Sequence, residues 1–315
     1  MRSQIANLLH KLANVVGGIS NQADYESRER LDKIFMDFSA EVETKYEATL
    51  KEQSRRSKLG LLDATMPPQW ESQFYLPQGY RVLVASEDSQ NHWRGGPPKH
   101  EGAICPICKK PLLLFWDIDC NELRSRGNST EIFGDLDRLP LYYCCRRPEP
   151  TIYQVLSINK IQTIRPELVS DEESPFEDYP NEFERKPIKL EPIPRAIENL
   201  LIIAKYFDLP WLNSDECKLL SSYLKEEISS TCDIHLSQFG GAIDLTQGRD
   251  VLKCPNKTCS THDMGSPFSD DTFNKMKELA VIDVDSGFEF KSNYSQIVFH
   301  ICWKCSTIHA DYRCS

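Results

Sequence analysis

The chain has 315 residues, of which 40% are hydrophobic, and a formal net charge of −10. Its length allows one large domain or two ordinary ones, each with a real core. The acidic balance argues against nucleic acid as a partner, because nucleic-acid binders carry a basic face, and it favours a basic partner protein. No run approaches the roughly 18 apolar residues of a membrane span, so a membrane partner is not expected.

The twelve cysteines favour a reduced protein over a secreted disulfide protein. They cluster as close pairs within a large chain rather than forming the framework of a small one. Residues 1–18 have apolar side chains at helical spacing, interrupted by His10 and Lys11, and lack the continuous apolar run of a secretory signal. We therefore predict a cytoplasmic protein.

Residues 1–56 predict a helical N-terminal segment. Gly17 and Gly18 break a first helix, and a second begins near Asp24, where apolar residues start to recur at helical spacing. An ordinary amphipathic helix packed on the body explains this pattern, and a dedicated partner helix is the alternative.

Residues 57–192 form the first half of the remaining chain and end in an acidic connector. Short apolar runs separated by proline and glycine turns predict strands, and residues 95–98 are interpreted as a loop. Acidic residues and prolines alternate across 165–192, which indicates a solvated connector or an acidic docking strip for a basic partner. The predicted strands are 81–85, 112–116, 141–143 and 153–157.

Residues 193–315 form the second half. Pro194 stands where proline favours the start of a helix, and residues 213–216 resemble a capping box for another helix that carries Leu219 and Leu220 on its apolar stripe. Strands are predicted at 296–301 and 307–310.

Four cysteines in the second half have the pattern of a structural zinc site. Cys254 and Cys259 form one close pair, and Cys302 and Cys305 form another. Zn²⁺ accepts four thiolates in a tetrahedron, and such a closed site leaves no position for water or substrate. A disulfide pair and four buried apolar thiols are the alternatives.

The first half carries its own cysteine cluster, with a less regular pattern. Cys105 and Cys108 form a typical knuckle, but the partner cysteines Cys144 and Cys145 are adjacent. Consecutive residues on a strand point to opposite faces, so one metal ion does not readily take both. Either one of them binds together with Cys120 or His100, or the site has decayed; we predict an incomplete or weak site.

Several segments resemble the YwqG-like family of mostly bacterial proteins. These are Ser57-Lys-Leu-Gly60, the run from Leu112 to Leu123, and Gln238-Phe-Gly-Gly241, in the family's order. Leu61 stands where the family has a second glycine, and Ala242-Ile243 replace its later Y-P. The resemblance implies a pseudo-duplicated α+β fold and supplies no reaction. Relatives that lie among toxin-immunity genes suggest an immunity role.

The two halves are also similar in order, because each has a glycine segment, then a knuckle, then a later cysteine-bearing strand. We therefore expect an α+β fold of two duplicated sheet-plus-helix halves, preceded by the helical N-terminal segment and stabilised by the four-cysteine zinc knuckle. None of the common hydrolase, Walker, dinucleotide or zinc-deaminase motifs is present. The predicted function is a zinc-stabilised protein-binding module, in its concrete form an acidic immunity-type protein that neutralises a partner. The alternative is an enzyme with a site in a groove between the halves.

Overall fold

The computed structural model describes residues 78–86, 91–126, 133–169, 179–206, 214–225, 236–241, 252–260, 276–283, 288 and 295–314. All of them belong to the compact unit Ala64–Ser315. The helical segment predicted over 1–56 lies outside the described residues.

Eleven strands and three helices are described in this unit. The strands are β1 (Tyr80–Val84), β2 (His92–Gly96), β3 (Leu113–Asp119), β4 (Arg138–Tyr143), β5 (Thr151–Ser157), β6 (Lys160–Ile164), β7 (Phe183–Pro192), β8 (Gln238–Phe239), β9 (Lys277–Ile282), β10 (Ser295–Cys302) and β11 (Thr307–Cys314). The helices are α1 (Cys120–Ser125), α2 (Arg195–Tyr206) and α3 (Ser214–Leu224). Asp119 caps α1 by accepting a hydrogen bond from the Glu122 N–H at 3.0 Å.

The strands form one sheet in the order β4-β3-β2-β7-β1-β8-β9-β10-β11-β5-β6, and their pairings are antiparallel. The expected α+β fold of duplicated sheet-plus-helix halves is therefore wrong. Strands β8 to β11 of the predicted second half lie between β1 and β5 of the first, so neither half has a sheet of its own. The described helices are short and few beside this sheet.

The sheet curls, so that β4 at one edge lies against β5 and β11 near the other. Side chains rather than a backbone ladder make this contact. The Tyr153 hydroxyl of β5 accepts a hydrogen bond from the Tyr142 N–H at 2.8 Å and donates to the Pro140 carbonyl at 2.7 Å. Thr151 Oγ1 accepts from the Cys144 N–H at 2.9 Å.

An aromatic core fills the curled sheet. The largest fully buried side chains include Trp116, Tyr142, Tyr143, Tyr153, Phe115, Phe133, Phe239 and Phe299. Phe115 packs edge to face on Phe183 and Phe288, which are tilted against each other, with ring centroids 4.8 to 5.1 Å apart. Burial of such rings is the main favourable term in forming this fold.

Several elements differ from the sequence-based expectation. The predicted connector over 165–192 includes β7, which lies between β2 and β1 in the interior of the sheet. Its Ile188 and Leu190 are buried and its Lys189 is exposed, a strand alternation that the surrounding prolines and charges concealed. The predicted loop over 95–98 overlaps the end of β2.

The helices follow their predicted positions more closely. α2 begins directly after Pro194, and α3 begins within the predicted capping box. On α3, however, Leu219 is half exposed whereas Leu220 is buried. None of the described helices is long and apolar enough to cross a membrane.

Candidate metal centres

The structure brings together four of the predicted ligands in a group that we call the second cluster: Cys254, Cys259, Cys302 and Cys305. Cys254 and Cys259 lie in the described stretch 252–260, Cys302 ends β10, and Cys305 lies in the turn before β11. All four sulphur atoms lie within 4.8 Å of one another. The second cluster could therefore hold a metal ion.

The spacing of the sulphurs decides between a metal site and a disulfide. The Sγ atoms of Cys254 and Cys305 are 3.5 Å apart, and those of Cys259 and Cys302 are 3.8 Å apart. A disulfide requires about 2.05 Å. Four sulphurs about 2.3 Å from a central ion in a tetrahedron lie about 3.8 Å from one another. The observed spacing fits the metal site, and all four cysteines are free thiols.

The backbone holds one knuckle of the second cluster in a tight turn. The Ser306 N–H donates to the Cys302 carbonyl at 2.8 Å, and Ser306 has a left-handed φ of 55°. The turn aims the side chains of Cys302 and Cys305 towards the loop that carries the other two cysteines.

The surroundings of the second cluster are partly apolar and partly a hydrogen-bond network. Met276 and Leu252 pack against the sulphurs. On the polar side, the Gln154 amide donates to the Cys305 carbonyl at 2.9 Å, and the Asn256 amide donates to Gln154 Oε1 at 3.1 Å. Gln154 belongs to β5, so a strand of the predicted first half supports a cluster of the second.

Hydrogen bonding to Cys302 and Cys305, together with burial, raises the pKa of the Cys254 thiol well above its ordinary value. Four thiolates this close cannot all carry negative charge without a cation among them. Metal binding would therefore replace thiol protons, and the affinity would fall with falling pH.

A first cluster forms from three cysteines of the first half: Cys105, Cys108 and Cys144. Their sulphur atoms also lie within 4.8 Å of one another, and those of Cys108 and Cys144 are 3.6 Å apart. A hydrogen bond from the Cys144 thiol lowers the pKa of Cys105 to about 5 despite its burial, and the same bond raises the pKa of Cys144. The first cluster could also hold a metal ion.

The other predicted ligands of the first cluster lie outside the group. Cys144 and Cys145 follow β4 in a turn rather than lying on a strand, and the Cys145 thiol is buried, which raises its pKa. Burial also raises the pKa of Cys120 to about 12. His100 is engaged elsewhere, because its Nδ1 lies 2.8 Å from the Tyr142 hydroxyl.

Arg147 is a neighbour of the first cluster that the cysteine pattern does not reveal. Its Nε and Nη2 donate to the Glu149 carboxylate at 2.9 and 2.7 Å. These hydrogen bonds raise the pKa of Arg147, and the negative charges of Glu149, Cys105 and Cys108 raise it further. The sequence signal that points to Arg147 is its position three residues after Cys144, because a C-x₂-C knuckle would have its second cysteine there.

Two acidic residues of β3 have structural roles. Asp117 is fully buried and accepts from Arg138 Nε at 2.7 Å and from Lys99 Nζ. Asp119 is the cap of α1. Both carboxylates therefore stabilise the fold around β3 and α1.

The described histidines of β10 and β11, His300 and His309, do not join either sulphur group. His300 is buried in β10, its ring centroid lies 6.2 Å from that of His309, and neither ring nitrogen of His300 has a hydrogen-bond partner in the described part of the chain. Burial, with the charges of His309 and Arg313, lowers the pKa of His300 to about 3. His262 lies outside the described residues.

No family model, curated protein or solved structure matches the chain. The resemblance to the YwqG-like family therefore stays a prediction.

Proposed function

We propose that the chain is an intracellular, zinc-stabilised protein-binding module, and that the second cluster is its structural zinc site. The observation that carries this proposal is the tetrahedral spacing of Cys254, Cys259, Cys302 and Cys305. A tetrahedral set of four sulphurs is the donor set of zinc or of iron, and zinc is the usual occupant of a closed structural site.

The location of the second cluster supports a structural role. The ion would fasten the β10–β11 hairpin to the segment 252–260, which belongs to no strand. Four thiolates fill the tetrahedron and leave no place for substrate, so the metal would supply stability rather than chemistry. Among the described residues, no observation identifies an enzyme site in a groove between the predicted halves.

The net charge of the chain supports a basic protein as the proposed partner. A net charge of −10 favours a basic protein, in line with the immunity-type role that the family resemblance implies. Association with such a partner would be steered electrostatically and would weaken as salt screens the charges.

The zinc assignment is tested with Cys302→Ser. We expect the metal content to fall by one zinc per chain and the melting temperature to fall with it. Unchanged zinc would overturn the assignment, and iron in place of zinc would correct the metal.

The binding role is tested by affinity capture from the native host, followed by reconstitution with the purified captured protein. We expect a stoichiometric basic protein whose dissociation constant rises between low and physiological salt. The captured protein should fail to bind this chain once the zinc of this chain has been removed. An acidic partner, or binding indifferent to salt, would contradict the proposal.

A further inference from the structure

The knuckle of the first cluster has the same backbone turn as the knuckle of the second. The Lys109 N–H donates to the Cys105 carbonyl at 3.0 Å, and Lys109 has a φ of 61°. In the second cluster the corresponding bond, from Ser306 to Cys302, is 2.8 Å with a φ of 55°. Left-handed backbone is unfavourable at a residue other than glycine, so two such turns at equivalent positions indicate a common purpose. Each turn directs two sulphurs to one point.

The third sulphur of the first cluster is fixed by the curl of the sheet. The Cys144 N–H donates to Thr151 Oγ1 at 2.9 Å, which ties the turn after β4 to β5. The Cys144 sulphur then lies 3.6 Å from that of Cys108, within the spacing of the second cluster.

Arg147 stands at the sequence position that a fourth cysteine would take in the first cluster. In the second cluster the fourth sulphur follows Cys302 by three residues, and Arg147 follows Cys144 by three residues. The Arg147 N–H donates to the Cys144 carbonyl at 3.2 Å, so the chain turns here as well. A guanidinium has only donors and cannot bind a metal ion. Among the described residues, the first cluster therefore offers three ligand atoms and not four.

We propose that Cys105, Cys108 and Cys144 hold one zinc ion through three thiolates and leave its fourth coordination position to an exchangeable ligand from solution, a water molecule or a small thiol. Three protein ligands plus one open position is the arrangement of reactive zinc sites, in contrast to the closed second cluster. Cys108 is partly exposed and the Arg147 side chain is 14% exposed, so solvent reaches this side.

A small thiol from solution is one ligand that could exchange at the open position. Zinc with three thiolates has one net negative charge. The Arg147 guanidinium is paired with Glu149 and also interacts electrostatically with Cys105 and Cys108. A thiol that replaces the water binds as the thiolate and gives its proton to solvent; reprotonation releases it as the thiol. No electron transfer is involved.

The first measurement is the metal content of full-length protein purified under reducing conditions. We expect about two zinc ions per chain, with one lost in Cys105→Ser and the other in Cys302→Ser. A content of one zinc per chain that is unchanged in Cys105→Ser would overturn the proposal and leave the second cluster unaffected. If zinc is lost in Cys302→Ser alone, this inference fails while the structural zinc site of the second cluster stands.

The second measurement tests the open position in cobalt-substituted protein. We expect added 2-mercaptoethanol to change the visible cobalt spectrum of the wild-type protein and to leave the spectrum of Cys105→Ser unchanged. Arg147→Cys supplies a fourth thiolate, so its cobalt spectrum should no longer respond to the thiol. It should also release zinc to a chelator at least roughly tenfold more slowly, since even outer-shell partners contribute that much to affinity.

Arg147→Lys is the matched control, because it removes the guanidinium without supplying a sulphur; it should keep the response to thiol. A wild-type spectrum indifferent to thiol, with no effect of Arg147→Cys, would show that another group closes the site. Because Arg147→Cys adds a ligand and the thiol titration uses wild-type protein, the test holds even where Cys105→Ser fails to fold.

Discussion

The hydroxyl of Tyr153 lies 2.8 Å from the backbone nitrogen of Tyr142, although the two strands that carry them are not hydrogen-bonded neighbours in the sheet. The same hydroxyl donates to the Pro140 carbonyl at 2.7 Å. The Tyr153 side chain is fully buried, and its ring packs edge to face on that of Tyr142. One phenol thus satisfies two backbone groups where the sheet curls onto itself.

Tyr153→Phe tests this closure. The phenylalanine keeps the ring but leaves a buried N–H and a buried carbonyl without their partner, and each unsatisfied group costs about 1–3 kcal/mol. We expect the free energy of unfolding to fall by roughly 2–4 kcal/mol. Urea denaturation measures this loss, and the m-value should not change. A variant as stable as the wild type would show that water satisfies both groups.

The sequence revealed individual strands better than their arrangement. The apolar runs at 81–85, 153–157 and 296–301 correspond to β1, β5 and β10. Their partners could not be predicted, because the pairing of β5 with β11 and the position of β7 depend on contacts between distant residues. The assumption that each half closes its own sheet produced the wrong fold class.

Gly241→Ala tests the close approach of two chain segments beside β8. Gly241 has a φ of 67°, and an added Cβ would lie 2.6 Å from the Gly79 Cα and 2.9 Å from Gln238 Nε2. The buried Glu198 carboxylate blocks it as well. Since neither the backbone of Gly79 nor the buried side chains can give way freely, we expect a loss of stability of more than about 3 kcal/mol.

Gly134→Ala is the matched control for Gly241→Ala. Gly134 also has a left-handed φ, of 50°, but an added Cβ would meet nothing within 4 Å. Gly134→Ala should therefore lose only about 1–2 kcal/mol of stability, from the backbone strain of alanine at a left-handed φ. Equal losses in the two variants, measured by the same denaturation experiment, would rule out the steric explanation.

Asp117→Asn tests the buried ion pairs of β3. Asp117 is fully buried between Arg138 and Lys99, and the amide leaves the Arg138 guanidinium with only its longer pair to Asp119, at 3.9 Å. Breaking a buried pair costs roughly 3–5 kcal/mol; we expect about 3, because the Lys99 side chain is 43% exposed and partly screened. Asp119→Asn on the same strand is the control, since asparagine caps a helix as well as aspartate does and the pair of Asp119 with Arg138 is long, at 3.9 Å, and partly exposed. A comparable loss in Asp119→Asn would contradict the assignment.

The same pair predicts a pH dependence. Burial alone would raise the pKa of Asp117, but hydrogen bonds and charge from Arg138 and Lys99 outweigh it and lower the pKa. The stabilisation is therefore present above the unfolded-state pKa of about 3.9 and is lost as the pH falls through the lower folded-state value. The stability difference between wild type and Asp117→Asn should be constant near neutral pH and shrink below about pH 4. A difference that shrinks already near neutral pH would point to another group.

The candidate sites were more visible in the sequence than the fold, because metal ligands recur at short spacings that the chain shows directly. The pairs Cys254/Cys259 and Cys302/Cys305 meet as their spacing indicates. The pair Cys144/Cys145 did not show which residue joins the first cluster, since that depends on the turn after β4. Nor could the spacing reveal Gln154, which reaches the second cluster only through the β5–β11 pairing.

Gln154→Ala tests whether this outer contact tunes the second cluster. Gln154 donates to the Cys305 carbonyl at 2.9 Å and accepts from Asn256 at 3.1 Å, so it holds both loops that carry the sulphurs. Loss of an outer-shell partner lowers metal affinity about 10- to 100-fold, and we expect the lower end because the contact is with backbone. Competition with a chromogenic chelator measures this. Gln162→Ala, directly opposite on β6 and exposed, is the control and should bind as wild type. Equal zinc affinity in both variants would show that the sulphurs are positioned by their own turns alone.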